Sequence, residues 1–229
     1  MSVENSIIVI GAGVVGTATA RTLQREGHRV TLVDSDEPGR ATSFGNAGFI
    51  AIDHVLPLAR PSTLKKIPQM LMDRDGPLTV HPPSIPRLLP WMARFARASA
   101  SPAEVRKGVD SFGPLMAEAN IAWKAEIQAS GLGELFRSRG MMYVYESEQA
   151  FIDGAEERDL QKAKGTEFEI VDGDGARALA PGLSAHIVRG VYYPHGMHTI
   201  NPYGVVKTLA ERFVAEGGSV AVSYTHLRA

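Results

Sequence analysis

Apolar positions in the first thirty-four residues fall into two short runs flanking a helical stretch. Residues 6–10, Ser-Ile-Ile-Val-Ile, are almost continuously apolar and too short for a helix, which suits a strand of a parallel sheet. A glycine turn follows, then a helical pattern from residue 14 to about 26, Gly27 as its stop, and a second strand at 29–33. Strand, helix and strand at this spacing predict parallel neighbours in one sheet.

The pattern then changes. Residues 52–102 are rich in proline, with helical pieces at 63–72 and 90–98 between the breaks. From 105 to 130, Val109, Phe112, Leu115, Met116, Ala119, Trp123 and Ile127 recur at threes and fours and predict a long helix with one buried face, ended by Gly131. Further on, strands are expected at 140–147, 168–172 and 187–194, and one helix at 147–165 with Ser147 as its cap. Asn201 as N-cap, Pro202 at the first helical position and Gly217 as the stop mark another helix. It feeds a strand beginning at 219 that is expected to rejoin the sheet begun by residues 6–34. No closing element follows that strand, so a fragment is expected, with Ser223 to Ala229 read as sequence from a cloning or assembly junction.

Composition narrows the function classes. The 229 residues carry 24 Lys and Arg against 25 Asp and Glu, so no basic surplus argues for nucleic acid as a partner. The absence of cysteine removes disulfides, thiolate nucleophiles and thiolate-bound metals, and suits a reducing compartment. No secretory signal is visible and no apolar run approaches about 18 residues, so the cytoplasm is the expected location and any membrane contact, at the inner membrane, would be peripheral. Arg94 and Arg97 beside Trp91 and Phe95 admit such a basic amphipathic face, but their short span favours a buried stripe with a solvated edge.

Gly11-Ala12-Gly13-Val14-Val15-Gly16 is the dinucleotide fingerprint in its proper context, directly after a strand and opening a helix. Gly11 allows the tight turn, Gly13 lets backbone approach a pyrophosphate, and Gly16 lets the helix pack close to the strand. The helix N-terminus offers free N–H groups and the positive end of a dipole, and Asp34 ends the second strand where a carboxylate can accept ribose hydroxyls. A nicotinamide domain would continue with alternating strands and helices. This chain instead runs through an uncharged segment at 41–51, Ala-Thr-Ser-Phe-Gly-Asn-Ala-Gly-Phe-Ile-Ala, into proline-rich territory.

The glycine turn, Asp34 and residues 41–50 together resemble the amino-acid-oxidising flavoproteins of the D-amino acid oxidase superfamily, and within it the bacterial D-amino acid dehydrogenases. Residues 190–220 also resemble the segment where that family's substrate domain returns to the flavin domain. The resemblance implies an α/β fold with an α+β insert. A Rossmann-like FAD-binding domain would span 1–60 and 200–229, with a substrate domain at 61–199, both C-terminally truncated. It implies FAD held noncovalently by Gly11, Ala12, Gly13, Val14, Val15, Gly16 and Asp34, with Thr42, Ser43, Asn46, Ala47 and Gly48 along the flavin end. Small side chains and close backbone donors there would suit a flat ring with a polar edge. The implied reaction removes a hydride from the α-carbon of a D-amino acid to flavin N5. The imino acid then hydrolyses to a 2-oxo acid and ammonia, and electrons pass to a quinone or to oxygen. Relatives continue well beyond residue 229, and the arginine that binds the substrate carboxylate usually lies in that later part. The resemblance thus implies weak FAD binding and poor turnover by this chain alone.

Two alternatives stay open: the same fold acting on secondary amines such as sarcosine, glycine or hydroxyproline, and an inactive fragment or assembly subunit. His198 and Tyr193 are candidate substrate contacts in the return connection. His195 and His198 have no acidic or cysteine partner to complete a metal site, so none is expected. Residues 171–175, Val-Asp-Gly-Asp-Gly, lack the terminal acid of a calcium loop and read as a turn. No Gly-x-Ser-x-Gly is present to support a hydrolase.

Overall fold

The structure, a computed structural model, describes residues 6–50, 56–73, 76 and 78–222. The elements are, in chain order, β1 (Ser6–Ile10), α1 (Val14–Arg25), β2 (Arg29–Val33), β3 (Phe49–Ile50), α2 (Pro61–Met72), α3 (Ile85–Ala100) and α4 (Pro102–Ser130). Then come β4 (Phe136–Arg137), β5 (Met141–Tyr145), α5 (Glu148–Asp153), α6 (Ala155–Ala163), β6 (Glu169–Asp172) and α7 (Gly173–Leu179). The chain continues with β7 (Arg189–Tyr193), β8 (Met197–Thr199), α8 (Pro202–Ala215) and β9 (Ser219–Ala221). Two compact units result, one of residues 1–51, 121–141 and 194–229, the other of 52–120 and 142–193.

In the first unit β1, β2 and β9 form a parallel sheet in the order β1-β2-β9, with Ile10 opposite Val33 and Val33 opposite Ala221. The return of the chain to the first sheet is thus as the sequence predicts. α1 and α8 pack on each other and on this sheet, burying Ala12, Ala20, Val30, Leu32 and Phe213. Asn201 caps α8 as expected, its Oδ1 accepting the Gly204 N–H at 2.8 Å. A second, antiparallel sheet, β3-β8-β4, sits over a core of Leu132, Phe136, Met197, Val205 and Leu209.

Beneath α1 lies an ion-pair network that the apolar pattern gave no sign of. Arg21, only 1 % exposed, donates from Nε to Glu126 Oε1 at 2.9 Å and from Nη2 to Ser130 Oγ and Glu216 Oε1. Arg25 adds a second pair to Glu126 at 2.6 Å. One turn apart on α1, the two arginines meet a glutamate and a serine one turn apart on α4.

The second unit holds the sheet β5-β7-β6. Ser147 caps α5 as predicted, but the single helix expected over 147–165 is broken at Gly154. Arg158 explains the break: its Nη2 donates to the Phe151 carbonyl at 2.7 Å, and Gly154 N–H takes the same oxygen. The turn read at 171–175 is instead the start of α7, where Asp172 Oδ1 accepts the Gly175 N–H at 2.8 Å and serves as N-cap.

Two helices depart from expectation in what they bury. Along α4, Val109 is buried, but Phe112 and Leu115 are 40 % and 58 % exposed. On α3 the expected buried stripe is absent at its N-terminal half, where Trp91 is 59 % exposed, and Ser99 is its only buried residue. Among the described residues no helix is long and apolar enough to cross a membrane. Residues 223–229, read as a junction, lie outside the described residues.

Candidate dinucleotide-binding site

The site is built where β1 gives way to α1. Gly11 N–H donates to the Val33 carbonyl at 2.7 Å, so the turn is tied to the end of β2 as soon as β1 ends. A Cβ on Gly16 would run into the Gly11 carbonyl, which is why the helix closes on the turn only with glycine there. Gly13 stands as the N-cap of α1 without a side chain to satisfy the first-turn donors. That task falls to a distant residue: Ser43 Oγ accepts the Val14 N–H at 3.1 Å. A Cβ on Gly13 would stand 3.2 Å from the same Oγ, so the gap between turn and Ser43 is only as wide as glycine allows.

Asp34 closes the other side. Its Oδ2 accepts the Ala12 N–H at 2.6 Å, and its Oδ1 accepts the Asp36 N–H and the Ser35 hydroxyl, each at 3.2 Å. Burial works against its charge, but the hydrogen bonds from Ala12, Asp36 and Ser35 prevail and hold its pKa below the usual aspartate value. An ionised acceptor therefore stands beside a helix N-terminus whose dipole favours anions.

The uncharged segment is shaped by three local contacts. Asn46 Oδ1 accepts the Gly48 N–H at 2.8 Å, folding the segment back on itself. Gly48 has φ +68°, and a Cβ there would strike the Thr199 carbonyl, while the Gly48 carbonyl accepts the Thr199 N–H at 2.7 Å. β3 then pairs with β8, Phe49 opposite His198 and Ile50 opposite Met197. Ser43 and Gly48 are buried, whereas Thr42, Asn46 and Ala47 are exposed. The segment is anchored at two points and open along the rest.

Every fingerprint residue, Asp34 and Ser43 thus gather at one end of the parallel sheet, and Gly48 leads into the strand paired with His198. His198 is half-buried and sits across from Phe49 on one side and Arg137 on the other. Tyr193 belongs to the second unit, 3 % exposed, its hydroxyl donating to Gln161 Oε1 at 2.8 Å among the rings of Tyr143 and Phe168. Burial, with Tyr145 nearby, pushes its phenol pKa up. Arg40 was not singled out by the sequence; its guanidinium lies 4.9 Å from the Tyr203 ring centroid and 5.5 Å from that of Phe44. Its place in the linear sequence, between the acid and the uncharged segment, was the available signal. Among the described residues no group of three His, Cys, Asp or Glu side chains could hold a metal.

A parallel strand-helix-strand with a glycine turn, a helix N-terminus and an ionised acid at the second strand end defines a protein of the Rossmann-like dinucleotide-binding class. The family model described as DAO, FAD dependent oxidoreductase, matches residues 6–226, and the chain belongs to that family. It is 32% identical over 216 residues to a D-amino-acid oxidase of Bradyrhizobium diazoefficiens, covering 93% of this chain and 51% of that protein. It is 34% identical over 197 residues to D-amino acid dehydrogenase 2 of Ralstonia nicotianae, covering 82% of this chain and 45% of the other. Among solved structures, glycine oxidase from Bacillus cereus superposes with a TM-score of 0.57 at 21% identity, over 96% of this chain and 46% of that one, a likeness of fold. The chain spans about half the length of the curated relatives it matches.

The residues present fit an FAD. Gly13 leaves room for backbone approach beside Ser43, Asp34 is held ionised at the strand end, and Thr42, Asn46 and Ala47 present an open, uncharged surface.

Proposed function

We propose that this chain carries the nucleotide-holding part of an enzyme that oxidatively deaminates D-amino acids. In this reading Gly11, Ala12, Gly13, Val14, Val15, Gly16 and Asp34 hold the ADP half of FAD, with Thr42, Ser43, Asn46, Ala47 and Gly48 beside the flavin. The bound flavin supplies a two-electron acceptor for the hydride leaving the substrate α-carbon. The chain's own contribution is to bind and orient. The α1 N-terminus would turn the positive end of its dipole to phosphate charge, and Asp34 would accept hydroxyl donors on its remaining lone pairs. Ser43 keeps the segment close to the helix start, and Gly48 and Asn46 hold the uncharged backbone in shape. His198, across from Phe49, is the substrate-side residue to test.

The observation that carries this reading is the meeting of two motifs separate in sequence: Ser43 of the uncharged segment bonds the first turn of the fingerprint helix. The names of two curated relatives, a D-amino-acid oxidase and a D-amino acid dehydrogenase, support the substrate class.

The test has two stages. FAD titrated into the 229-residue chain, followed by flavin fluorescence, is expected to bind weakly, and Gly13→Val is expected to abolish that binding with the fold intact by circular dichroism. A version as long as the relatives, loaded with FAD, is then mixed anaerobically with D-alanine, D-methionine, L-alanine, sarcosine, glycine and hydroxyproline. Bleaching of the flavin absorbance by the D-amino acids supports the reading, and the electron acceptor is found by reoxidation with a quinone or oxygen. Bleaching by sarcosine or hydroxyproline alone would replace the substrate class. No bleaching by any amine would leave the fold with a non-catalytic role.

A further inference from the structure

The turn at 37–40 joins the acid side of the site to the uncharged segment. Gly39 N–H donates to the Ala12 carbonyl of the fingerprint at 2.9 Å. Gly39 has φ +81°, and a Cβ there would stand 3.0 Å from Val206 Cβ and 3.3 Å from Tyr203 Cδ2, so glycine lets the turn lie directly on the start of α8. Arg40 leaves the turn at that point. Its guanidinium lies 4.9 Å from the Tyr203 ring centroid and 5.5 Å from that of Phe44, and the two ring centroids are 5.3 Å apart at 57°.

Phe44 follows Ser43, and the two side chains take hold of different elements. Ser43 is buried and accepts the Val14 N–H of α1, whereas Phe44 is 49 % exposed and meets Arg40 and Tyr203. The other end of the segment is fixed to the same stretch of chain: the Gly48 carbonyl accepts the Thr199 N–H, and a Cβ on Gly48 would stand 3.3 Å from Pro202. Between these anchors Gly45, Asn46 and Ala47 are exposed. Arg40 also pairs with Glu37 at 3.2 Å, but with the two side chains 48 % and 66 % exposed that pair contributes little. The rings, more than the carboxylate, decide where the guanidinium rests.

The geometry points to Arg40 as a positioning residue for the cofactor: with Phe44 and Tyr203 it latches residues 41–48 to the start of α8, and the strength of that latch sets how slowly FAD leaves. In this role Arg40 does not touch the cofactor; it acts through Phe44 on the backbone of the uncharged segment. β8, which carries His198, leads directly into α8 and Tyr203, so the latch ties the cofactor segment to the strand of the substrate-side residue. Contacts made only when the segment is closed slow departure and leave entry unchanged. The cofactor role rests on the flavin reading, whereas the latch is a property of the chain alone.

Hydrogen exchange over residues 41–48, read by mass spectrometry on the cofactor-free 229-residue chain, tests the latch. Arg40→Met keeps side-chain length and loses the charge, and Tyr203→Leu removes one of the two rings. Each should speed exchange in this segment by roughly 10-fold, about what two exposed cation–π contacts supply together. Arg40→Lys should fall between wild type and Arg40→Met, and Glu37→Gln should match wild type. Stopped-flow flavin fluorescence on the same proteins tests the cofactor role. The FAD dissociation rate should rise by roughly 10-fold in Arg40→Met and in Tyr203→Leu with the association rate unchanged. Combining the two substitutions should give less than the product of the single effects, because they break one contact. A merely structural role would lower the urea midpoint and slow association as well. Should one variant misfold, the other gives the same reading. Unchanged exchange, or a Glu37→Gln effect as large as that of Arg40→Met, would overturn the latch. Faster exchange with unchanged FAD release would overturn the cofactor role. No binding of FAD by the wild type would refute the flavin reading and the cofactor role with it, while the exchange result would still decide the latch.

Discussion

Ser43 Oγ accepts the Val14 N–H at 3.1 Å, so a residue twenty-nine positions downstream caps the first turn of the fingerprint helix. The N-cap position itself is held by Gly13, which has no side chain to offer. Glycine at 13 and serine at 43 divide between them what one Ser or Asp does at an ordinary helix start. Backbone is left clear for close approach, and one orphan donor is still satisfied.

That division predicts a coupling between the two positions. Ser43→Ala removes the cap and should cost about 1 kcal/mol of stability. Gly13→Ala places its Cβ 3.2 Å from Ser43 Oγ and should be destabilising as well. In the double variant the hydroxyl that the new methyl meets is gone, so the combined cost should be less than the sum by roughly 0.5 kcal/mol or more. Urea unfolding of the four proteins at constant m measures this. Strict additivity would mean that Ser43 and Gly13 do not share the helix end.

Asp34 makes the site sensitive to acid. Its pKa is depressed in the folded chain, burial being outweighed by the donors Ala12 N–H, Asp36 N–H and the Ser35 hydroxyl. A group with a folded pKa below its unfolded one contributes stability that is present in full above the ordinary aspartate value of 3.8 and is lost as pH falls through the folded pKa. The difference in unfolding free energy between wild type and Asp34→Asn should therefore be flat from neutral pH down to about 5 and shrink below about 4. FAD affinity should fall in Asp34→Asn at all pH values above that window. A stability difference that grows on acidification would refute the assignment of the donors.

Elements whose signal is local were readable from the sequence, and those defined by partners were not. β1, α1 and β2, and α8 with its Asn201 cap, follow from periodicity and caps, and β9 joins β2 in parallel as the strand-helix-strand logic requires. The three-residue β8 escaped because its identity lies in pairing with β3 and β4, not in any alternation of its own. The α5–α6 break was hidden because it depends on Arg158 reaching back to the Phe151 carbonyl. In the site, the fingerprint and Asp34 could be placed by spacing alone. The reach of Ser43 to Val14 could not, since nothing in residues 41–50 states which donor they will meet. The exposed side of α3 was misjudged because amphipathic pattern tells which residues share a face, but not what covers that face.

The Arg21 network is the least visible from sequence, and it makes a sharp prediction about α1. Arg21 is buried with Nη1 already lacking a hydrogen-bond partner, and its charge is balanced chiefly by Glu126, with Glu216 at 3.3 Å. Burial opposes the Glu126 charge, but Arg25, Ser130 and Arg21 overcome it and lower its pKa. Glu126→Ala leaves a buried guanidinium without its main partner and should cost about 3–5 kcal/mol. Arg25→Ala removes a pair in which the arginine side chain is 43% exposed, and should cost less than about 1 kcal/mol. Replacing the buried Arg21 and its half-buried partner together, Arg21→Met with Glu126→Gln, removes the need for compensation and should be less destabilising than Glu126→Ala alone. Because the Glu126 pKa is depressed, its contribution is complete above the ordinary value of 4.5 and disappears as pH falls through the folded pKa. The gap in urea midpoint between wild type and Glu126→Ala should therefore be full at pH 7 and narrow progressively as pH falls below 4.5. An Arg25→Ala variant as unstable as Glu126→Ala would place the anchor of α1 at the exposed arginine instead of the buried one.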